Sequence, residues 1–279
     1  MIMLSSCHVS DIIYYPVKSL KGIHVQEADV DDFGLVNDRR FMLIDANDKF
    51  VTQRTHPKLA LIEVQLQEEG SGRLARLTLS SPMFTSLTIS FSDFIENKQN
   101  PFKVVVWGEQ VDALVLQNQA TDVLSGFLGE PVRLAYMPAS SFRQIDRQFF
   151  SEDKRVSFAD GYPFLLVSEA SIQDLNTRLA EPVSSTNFRP NIVIAGDISP
   201  YAEDVTQRIT IGEISFEMVK PCSRCIMTTI NAAGEKSHDK EPLKTLSTYR
   251  LNEFGICFGQ NLVHLTQGKI RVGDEVSFE

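Results

Sequence analysis

The chain has 279 residues, of which 43% are hydrophobic and 23% are charged, and its formal net charge is −9. These proportions are ordinary for a soluble globular protein of one large or two smaller domains, and they exclude a collagen-like, low-complexity or wholly disordered chain. An acidic chain is a poor candidate for binding nucleic acid or an anionic membrane surface, although a local basic pocket is compatible with it.

The first 115 residues predict mainly strands, because short apolar runs are separated by turn residues. Residues 59–66 show the clearest alternation of apolar and polar side chains, which is typical of a half-buried strand. A hairpin is predicted around Asn47-Asp48. Many short strands of this kind favour a barrel or a sandwich. Further strands are predicted at 8–15, 23–30, 40–45, 74–80, 86–91, 102–107 and 112–117.

A helix is predicted over 118–128, where apolar residues recur at helical spacing and Gly129-Glu130-Pro131 follows. We place a domain boundary at this point. Residues 138–160 are polar and irregular, which predicts a long loop, and loops of that length inside a compact unit are often functional.

The second half predicts a helix from Ser168 to Leu179, with Ser168 as its N-cap. A strand is predicted at 191–196, a hairpin turned at Gly212-Glu213, and a closing strand, turn and strand at 268–279. The predicted fold class is therefore mainly β with α+β elements.

No stretch of the sequence approaches 18 uncharged apolar residues, so no transmembrane helix is predicted. The N-terminus lacks the basic and apolar regions of a secretory signal. Four cysteines are too few for a disulfide framework in a chain of this size. They fit a reducing compartment, and we expect a cytoplasmic protein.

Cys222-Ser223-Arg224-Cys225 is the sharpest local feature, and it admits several interpretations. A structural zinc site would need a second ligand pair, and Cys257 and His264 are oddly spaced for one. A thioredoxin-like redox pair would need a helix after the motif, and none is predicted. Two buried structural cysteines remain possible. Arg224 favours the thiolate, which is the form that attacks electrophiles or binds metals.

Two further clusters combine cations with small polar residues. Arg189 lies within Asn187-Phe188-Arg189-Pro190-Asn191, where a guanidinium could bind phosphate or carboxylate. Lys18 and Ser19 lie in a turn after a strand, and Asp38-Arg39-Arg40-Phe41 adds two cations. Each cluster taken alone is more typical of ordinary solvated charges than of a binding site. The sequence contains no G-x-S-x-G, H-E-x-x-H or G-x-G-x-x-G pattern, so neither a histidine-based hydrolase nor a Rossmann site is supported.

In combination, these clusters resemble the MOSC-domain proteins, and in particular the bacterial YcbX-like proteins and the mitochondrial amidoxime-reducing component family. The resemblance covers nearly the whole chain. It implies an N-terminal MOSC β-barrel domain at residues 1–120 and a β-barrel-like MOSC domain with a few helices at residues 125–279. The motifs that carry it are 15–22, 38–41, 168–171, 187–191, 222–225, 241–246, 258–261 and 272–274.

The resemblance implies a detoxifying reductase that depends on the molybdenum cofactor (Mo-molybdopterin). Its substrates would be N-hydroxylated compounds such as amidoximes, hydroxylamines and N-oxygenated bases. By position in the family motif, Cys225 would be the metal ligand and a catalytic residue, with Cys222 a supporting residue or a bystander. Asp160 is a candidate proton source. The residues implied to bind the cofactor are Lys18, Ser19, Arg40, Gly161, Tyr162, Arg189, Asn191, Ser223, Arg224 and Asn261.

The electron supply is expected to be a separate protein, of the ferredoxin, flavodoxin or cytochrome type with its reductase. The chain has no C-x₄-C-x₂-C run for an iron–sulfur domain of its own. An alternative is a sulfur carrier that holds a persulfide on Cys225, since MOSC domains also occur in cofactor sulfurases. No pyridoxal phosphate domain is recognised that would generate the sulfur, although pyridoxal phosphate binding is associated with the family. A third possibility is a cofactor carrier without catalysis.

Overall fold

The computed structural model describes residues 7–69, 73–96 and 102–279. Residues 1–6, where no secretory signal is predicted, lie outside the described part. Within it, four α-helices run over α1 (Phe91–Glu96), α2 (Gln119–Leu128), α3 (Glu169–Asn176) and α4 (Leu243–Ser247). The strands are β1 (His8–Tyr14), β2 (Ile23–Val25), β3 (Glu27–Asp31), β4 (Gly34–Leu35), β5 (Phe41–Ile44), β6 (Glu63–Glu69), β7 (Arg73–Ser81), β8 (Phe84–Ser90), β9 (Phe102–Val106), β10 (Glu109–Leu116), β11 (Arg133–Tyr136), β12 (Phe164–Ser168), β13 (Ile192–Ala195), β14 (Arg208–Ile211), β15 (Ile214–Ser223), β16 (Leu251–Asn252), β17 (Gly255–His264), β18 (Gly268–Arg271) and β19 (Val276–Phe278).

The largest sheet has nine strands in the order β19-β14-β15-β17-β12-β13-β1-β2, with β16 paired to β17. Only β12 and β13 run parallel, while the other pairings are antiparallel. Its apolar face buries a cluster that includes Phe164, Phe216 and Leu262. On the other side of β12, Val167 packs with Leu175 of α3, which covers that part of the sheet.

Among the described residues there are also three smaller sheets, in the orders β5-β11-β10-β9, β6-β7-β8 and β18-β3-β4. A large apolar cluster around Phe41, Leu79 and Phe94 joins the first two of these sheets to the helices α1 and α2. The fold is mainly β with a few helices, which confirms the predicted fold class.

Local sequence signals explain where the two longer helices begin and end. Asn118 accepts hydrogen bonds from the backbone N–H groups of Ala120 and Thr121 at the start of α2, and Gly129 (φ 81°) ends it. Ser168 accepts from the backbone N–H of Ser171 at the start of α3. Both helices were predicted, although α3 ends three residues earlier than expected.

The long segment 138–160 has no regular helix or strand, as predicted. Arg143 holds it in place from a buried position. Its guanidinium donates to the backbone carbonyls of Ser157, Ala159 and Asp160 at 3.1, 2.6 and 3.0 Å. The end of the segment is therefore fixed by a buried cation rather than by sheet pairing.

The sheets cross the predicted division between residues 1–120 and 125–279. The strand β1 pairs with β13, and β3 pairs with β18. Conversely, β11 from the second predicted domain pairs with β5 from the first and joins its sheet. The strands β1 to β4 are thus part of sheets that include strands from the second half of the chain.

Candidate active site

A cavity of about 160 Å³ lies where the turn after β1, the end of segment 138–160 and the segment after β15 meet. Eleven of the twelve residues assigned to the site from the sequence line it. They are Lys18, Ser19, Asp160, Gly161, Tyr162, Arg189, Asn191, Ser223, Arg224, Cys225 and Asn261. The topology thus brings together groups that are far apart in the sequence.

The strand β15 carries the Cys-Ser-Arg-Cys motif out of the sheet. Its pairing with β17 shifts register at two places near Pro221, which cannot donate a ladder hydrogen bond. Cys225 then stands in extended conformation (φ −125°, ψ −178°) just before a 3₁₀ turn over Ile226–Thr229. Because no α-helix follows, the motif does not have the thioredoxin arrangement considered above.

Arg224 holds the Cys-Ser-Arg-Cys motif in place through two hydrogen bonds of its guanidinium group. Its guanidinium donates to the sulfur of Cys222 at 2.9 Å and to the backbone carbonyl of Phe188 at 2.6 Å. Cys222 and Cys225 are both half-buried and both line the cavity, so they are not buried structural cysteines. Among the described residues, no group of three or more His, Cys, Asp or Glu could hold a metal ion, which disfavours the zinc alternative.

Asp160 lies between two cations. Its carboxylate is 2.5 Å from Nζ of Lys18 and 2.9 Å from Nη2 of Arg54. Burial alone would raise the pKa of Asp160, but the charges and hydrogen bonds of Lys18 and Arg54 outweigh it and hold the pKa well below its usual range. Asp160 is therefore ionised at neutral pH. The structure favours the role of a counter-ion over the expected role of a proton source.

Lys18 is buried, and its ammonium group also donates to the carbonyl of Phe158 at 2.7 Å. Burial lowers the pKa of Lys18 to about 8, against the opposing effect of Asp160. At neutral pH Lys18 still carries its positive charge.

The opposite wall is a network of arginines around Tyr15. The guanidinium groups of Arg39 and Arg189 lie 4.3 and 4.2 Å from the centre of its ring. Arg39 donates to the side-chain oxygen of Asn191 at 2.9 Å and to buried Asp38 at 2.7 Å. The network fixes the cations of this wall at the junction between β1 and β13.

Arg40 does not line the cavity, although it was assigned to cofactor binding. Its guanidinium donates to the backbone carbonyl of Met137 and lies 4.0 Å from the centre of the Phe33 ring. The neighbouring Arg39 takes the place in the cavity. Arg39 has a left-handed backbone (φ 46°), so the alternation of a regular strand does not hold at this point.

Arg54 also lines the cavity, and sequence reasoning missed it. It interacts electrostatically with Cys225 as well as with Asp160. The sequence signal was weak, because Arg54 is the last residue of the hairpin predicted around Asn47-Asp48 and belongs to no recognisable cluster.

The donor set fits an anionic ligand that also binds a thiolate. Lys18, Arg39, Arg54, Arg189 and Arg224 all line the cavity. Within the described protein, Nη2 of Arg189 and Nε of Arg224 are buried without a hydrogen-bond acceptor. A buried donor without a partner is costly, and a phosphate or comparable anion would supply acceptors. The residues present therefore fit a phosphate-bearing cofactor whose metal Cys225 would ligate.

Comparison with known proteins agrees with this geometry. Residues 6–131 match the model of the MOSC N-terminal beta barrel domain, and residues 153–277 match that of the MOSC domain. The chain therefore belongs to the MOSC-domain family.

Individual relatives cover almost the whole chain. Mitochondrial amidoxime-reducing component 1 from Mus musculus is 35% identical over 96% of this chain and 81% of its own length. The Homo sapiens protein of the same name is also 35% identical, over 96% of this chain and 82% of its own length. Molybdenum cofactor sulfurase from Oryza sativa subsp. japonica is 32% identical over 92% of this chain, but over only 32% of its own length.

Proposed function

We propose that this protein is a molybdenum-cofactor-dependent reductase of N-hydroxylated compounds such as amidoximes and hydroxylamines. The observation that carries the proposal is Cys225 in a cavity lined by five cations of an acidic protein. The two nearly full-length relatives named for amidoxime reduction support the reaction class. A cytoplasmic location stays a prediction, and no helix among the described residues is long and apolar enough to cross a membrane.

The residues of the chain have distinct parts in this function. Cys225 would ligate the metal, because a thiolate is a soft ligand suited to it. Arg189 and Arg224 would bind the anionic part of the cofactor through their unpartnered nitrogens. Asp160 would keep Lys18 and Arg54 in place. The bound cofactor would supply the two-electron chemistry that removes oxygen from an N–O bond.

The electrons would come from a separate redox protein, of the ferredoxin, flavodoxin or cytochrome type. The balanced reaction takes two electrons and two protons and releases the reduced nitrogen compound and water. The ionised state of Asp160 means that protons reach the site from another group or from solvent.

Molybdenum content and amidoxime reduction test the proposal together. The protein is purified from a host that makes the cofactor, alongside Cys225→Ala and the matched variant Cys222→Ala. We expect about one molybdenum per chain and reduction of acetamidoxime by chemically reduced wild-type protein. Cys225→Ala should lose both, and Cys222→Ala should retain the metal. Equal turnover in Cys225→Ala would contradict the proposal, and metal without any reduction would favour a cofactor carrier.

The match to a molybdenum cofactor sulfurase keeps the sulfur carrier as a second candidate. In that case Cys225 would gain the mass of one sulfur atom, removable by a thiol reductant. A protein without molybdenum that carries this mass on Cys225 would replace the first proposal with the second.

A further inference from the structure

Trp107 is the only tryptophan of the chain, and it occupies an unusual place. It forms with Gly108 the two-residue turn between β9 and β10, where Val106 pairs with Glu109. Both turn residues have positive φ, 53° at Trp107 and 88° at Gly108. This turn type favours Asn or Gly, and a bulky residue in the left-handed region is strained. Such strain at a defined place is grounds for a functional hypothesis.

Trp107 belongs to a closed circuit of five contacting side chains. Three of them, Lys18, Arg54 and Asp160, line the Cys225 cavity. Its indole lies 4.8 Å from the guanidinium carbon of Arg54, and its ring centre lies 5.0 Å from that of Phe50. Lys18 lies 5.3 Å from the centre of the Phe50 ring. Asp160 closes the circuit through its ion pairs with Lys18 and Arg54. Trp107 is thus one side chain away from the cavity wall.

The indole of Trp107 is 49% exposed, although its hairpin contributes buried Val104, Val106 and Val111 to an apolar core. Arg54 and Phe50 hold the indole in place, so little conformational freedom would be lost when a ligand packs on it. A rigid aromatic surface of this kind stacks well with planar aromatic groups. The cavity has a volume of only about 160 Å³, so the organic body of a substrate that binds beside a cofactor would extend out of it.

We infer that Trp107 is a specificity-determining residue that stacks on the planar aromatic body of the substrate at the mouth of the Cys225 cavity. This inference rests on the proposed function, and it narrows the substrate class to N-hydroxylated compounds attached to an aromatic or heteroaromatic ring. Aliphatic N-hydroxylated compounds would enter the cavity without this contact.

The fluorescence of the single tryptophan tests binding without turnover. The molybdenum-loaded protein is titrated with benzamidoxime or acetamidoxime in the absence of an electron donor, with a free tryptophan derivative as control for inner-filter effects. We expect saturable quenching by benzamidoxime and little change with acetamidoxime. Absence of quenching by benzamidoxime would overturn the inference. Equal quenching by both compounds would also overturn it, because it would report only a displacement of Arg54.

Steady-state kinetics give the second readout. In Trp107→Leu, we expect KM for benzamidoxime to rise about tenfold relative to KM for acetamidoxime, and Trp107→Phe should restore most of this ratio. A merely structural role through Arg54 would change both substrates alike and leave the ratio unaltered, which would contradict the inference.

Phe102 on the same hairpin offers the matched control. It is 38% exposed and, like Trp107, has an arginine over its ring, with Arg133 at 5.1 Å from the ring centre, but Arg133 does not line the Cys225 cavity as Arg54 does. Phe102→Leu should preserve both the quenching and the KM ratio.

The proposed reductase function and the proposed role of Trp107 can fail separately, because quenching needs no catalysis. Loaded protein that reduces neither amidoxime would refute the reductase, and quenching would still decide the role of Trp107.

Discussion

Lys18 contributes a positive charge to the cavity, although its burial makes that charge energetically unfavourable. Burial, against the opposing effect of Asp160 and with smaller contributions from the cations Arg143 and Arg54, lowers the pKa of Lys18 to about 8. The lysine therefore loses its positive charge as the pH rises through about 8. A bound anion stabilises the charged form and moves this loss to higher pH.

We expect affinity for inorganic phosphate, measured by calorimetry on cofactor-free protein, to decline as the pH rises above about 8. Phosphate is already a dianion over that range, so the decline reports the protein. In Lys18→Arg the guanidinium stays charged, and the decline should largely disappear. A decline of the same size in both proteins would exclude Lys18 as its origin.

Arg143 is a positioning residue for Asp160, because it binds three carbonyls at the end of segment 138–160. Arg143→Met would leave these carbonyls without their charged donor. We expect the free energy of unfolding in urea to fall by about 3 kcal/mol and the molybdenum content to fall with it. Arg147→Met is the control, since Arg147 is exposed in the same segment, and its effect should stay below about 0.5 kcal/mol. Equal losses in both variants would contradict this role.

The sequence predicted most of the site at the level of residues, but not its side-chain directions. Motif order identified Cys225, Arg189 and Lys18, which the cavity brings together. Motif order assigned Arg40 to the site, but Arg39 lines the cavity instead. The left-handed backbone of Arg39 decides which of the two adjacent arginines points into the cavity. Arg54 joins the site only through tertiary packing, so no local sequence pattern indicated that it belongs there.

Among the elements, β17 depends on a glycine at its contact with β12. Gly259 has φ +75°, and a Cβ atom there would lie 2.6 Å from the carbonyl oxygen of Leu166. We expect Gly259→Ala to lower the free energy of unfolding by more than about 2 kcal/mol through strain and overpacking. Calorimetric melting measures this change.

Gly126 in α2 supplies a control, because the same substitution to alanine should raise the stability there instead of lowering it. Nothing lies within 4 Å of the position its Cβ would take. Alanine in a helix interior is favoured over glycine by about 0.5–1 kcal/mol, so Gly126→Ala should raise the melting temperature. A loss of stability in Gly126→Ala, or none in Gly259→Ala, would contradict these assignments.

Strand positions could be predicted from hydrophobic alternation, but strand partners could not. The hairpin of β14 and β15 was predicted correctly because a two-residue turn forces adjacent strands to pair. The strands β18 and β19 also follow each other closely, but β18 pairs with β3 and β19 with β14. Their partners are distant in sequence, and local patterns carry no information about them.

For the whole molecule, the pairings of β1 with β13, β3 with β18 and β5 with β11 mean that the two sequence domains share three of the sheets. A fragment of residues 138–279 would expose the edge of β13 and the apolar core to which Val9 and Ile12 of β1 contribute. We expect this fragment to show no cooperative thermal transition by circular dichroism. Co-expression with residues 1–137 should restore the transition. Cooperative melting of the fragment alone would contradict the prediction.

The interleaved sheets also set an order on biosynthesis. Lys18 is synthesised well before β17, which pairs with both β15 and β12. A nascent chain therefore contains three cations of the cavity, Lys18, Arg39 and Arg54, long before it contains the strand β17. The cavity is complete only once β17 has been made, and a product truncated before β17 would be unable to hold the proposed cofactor.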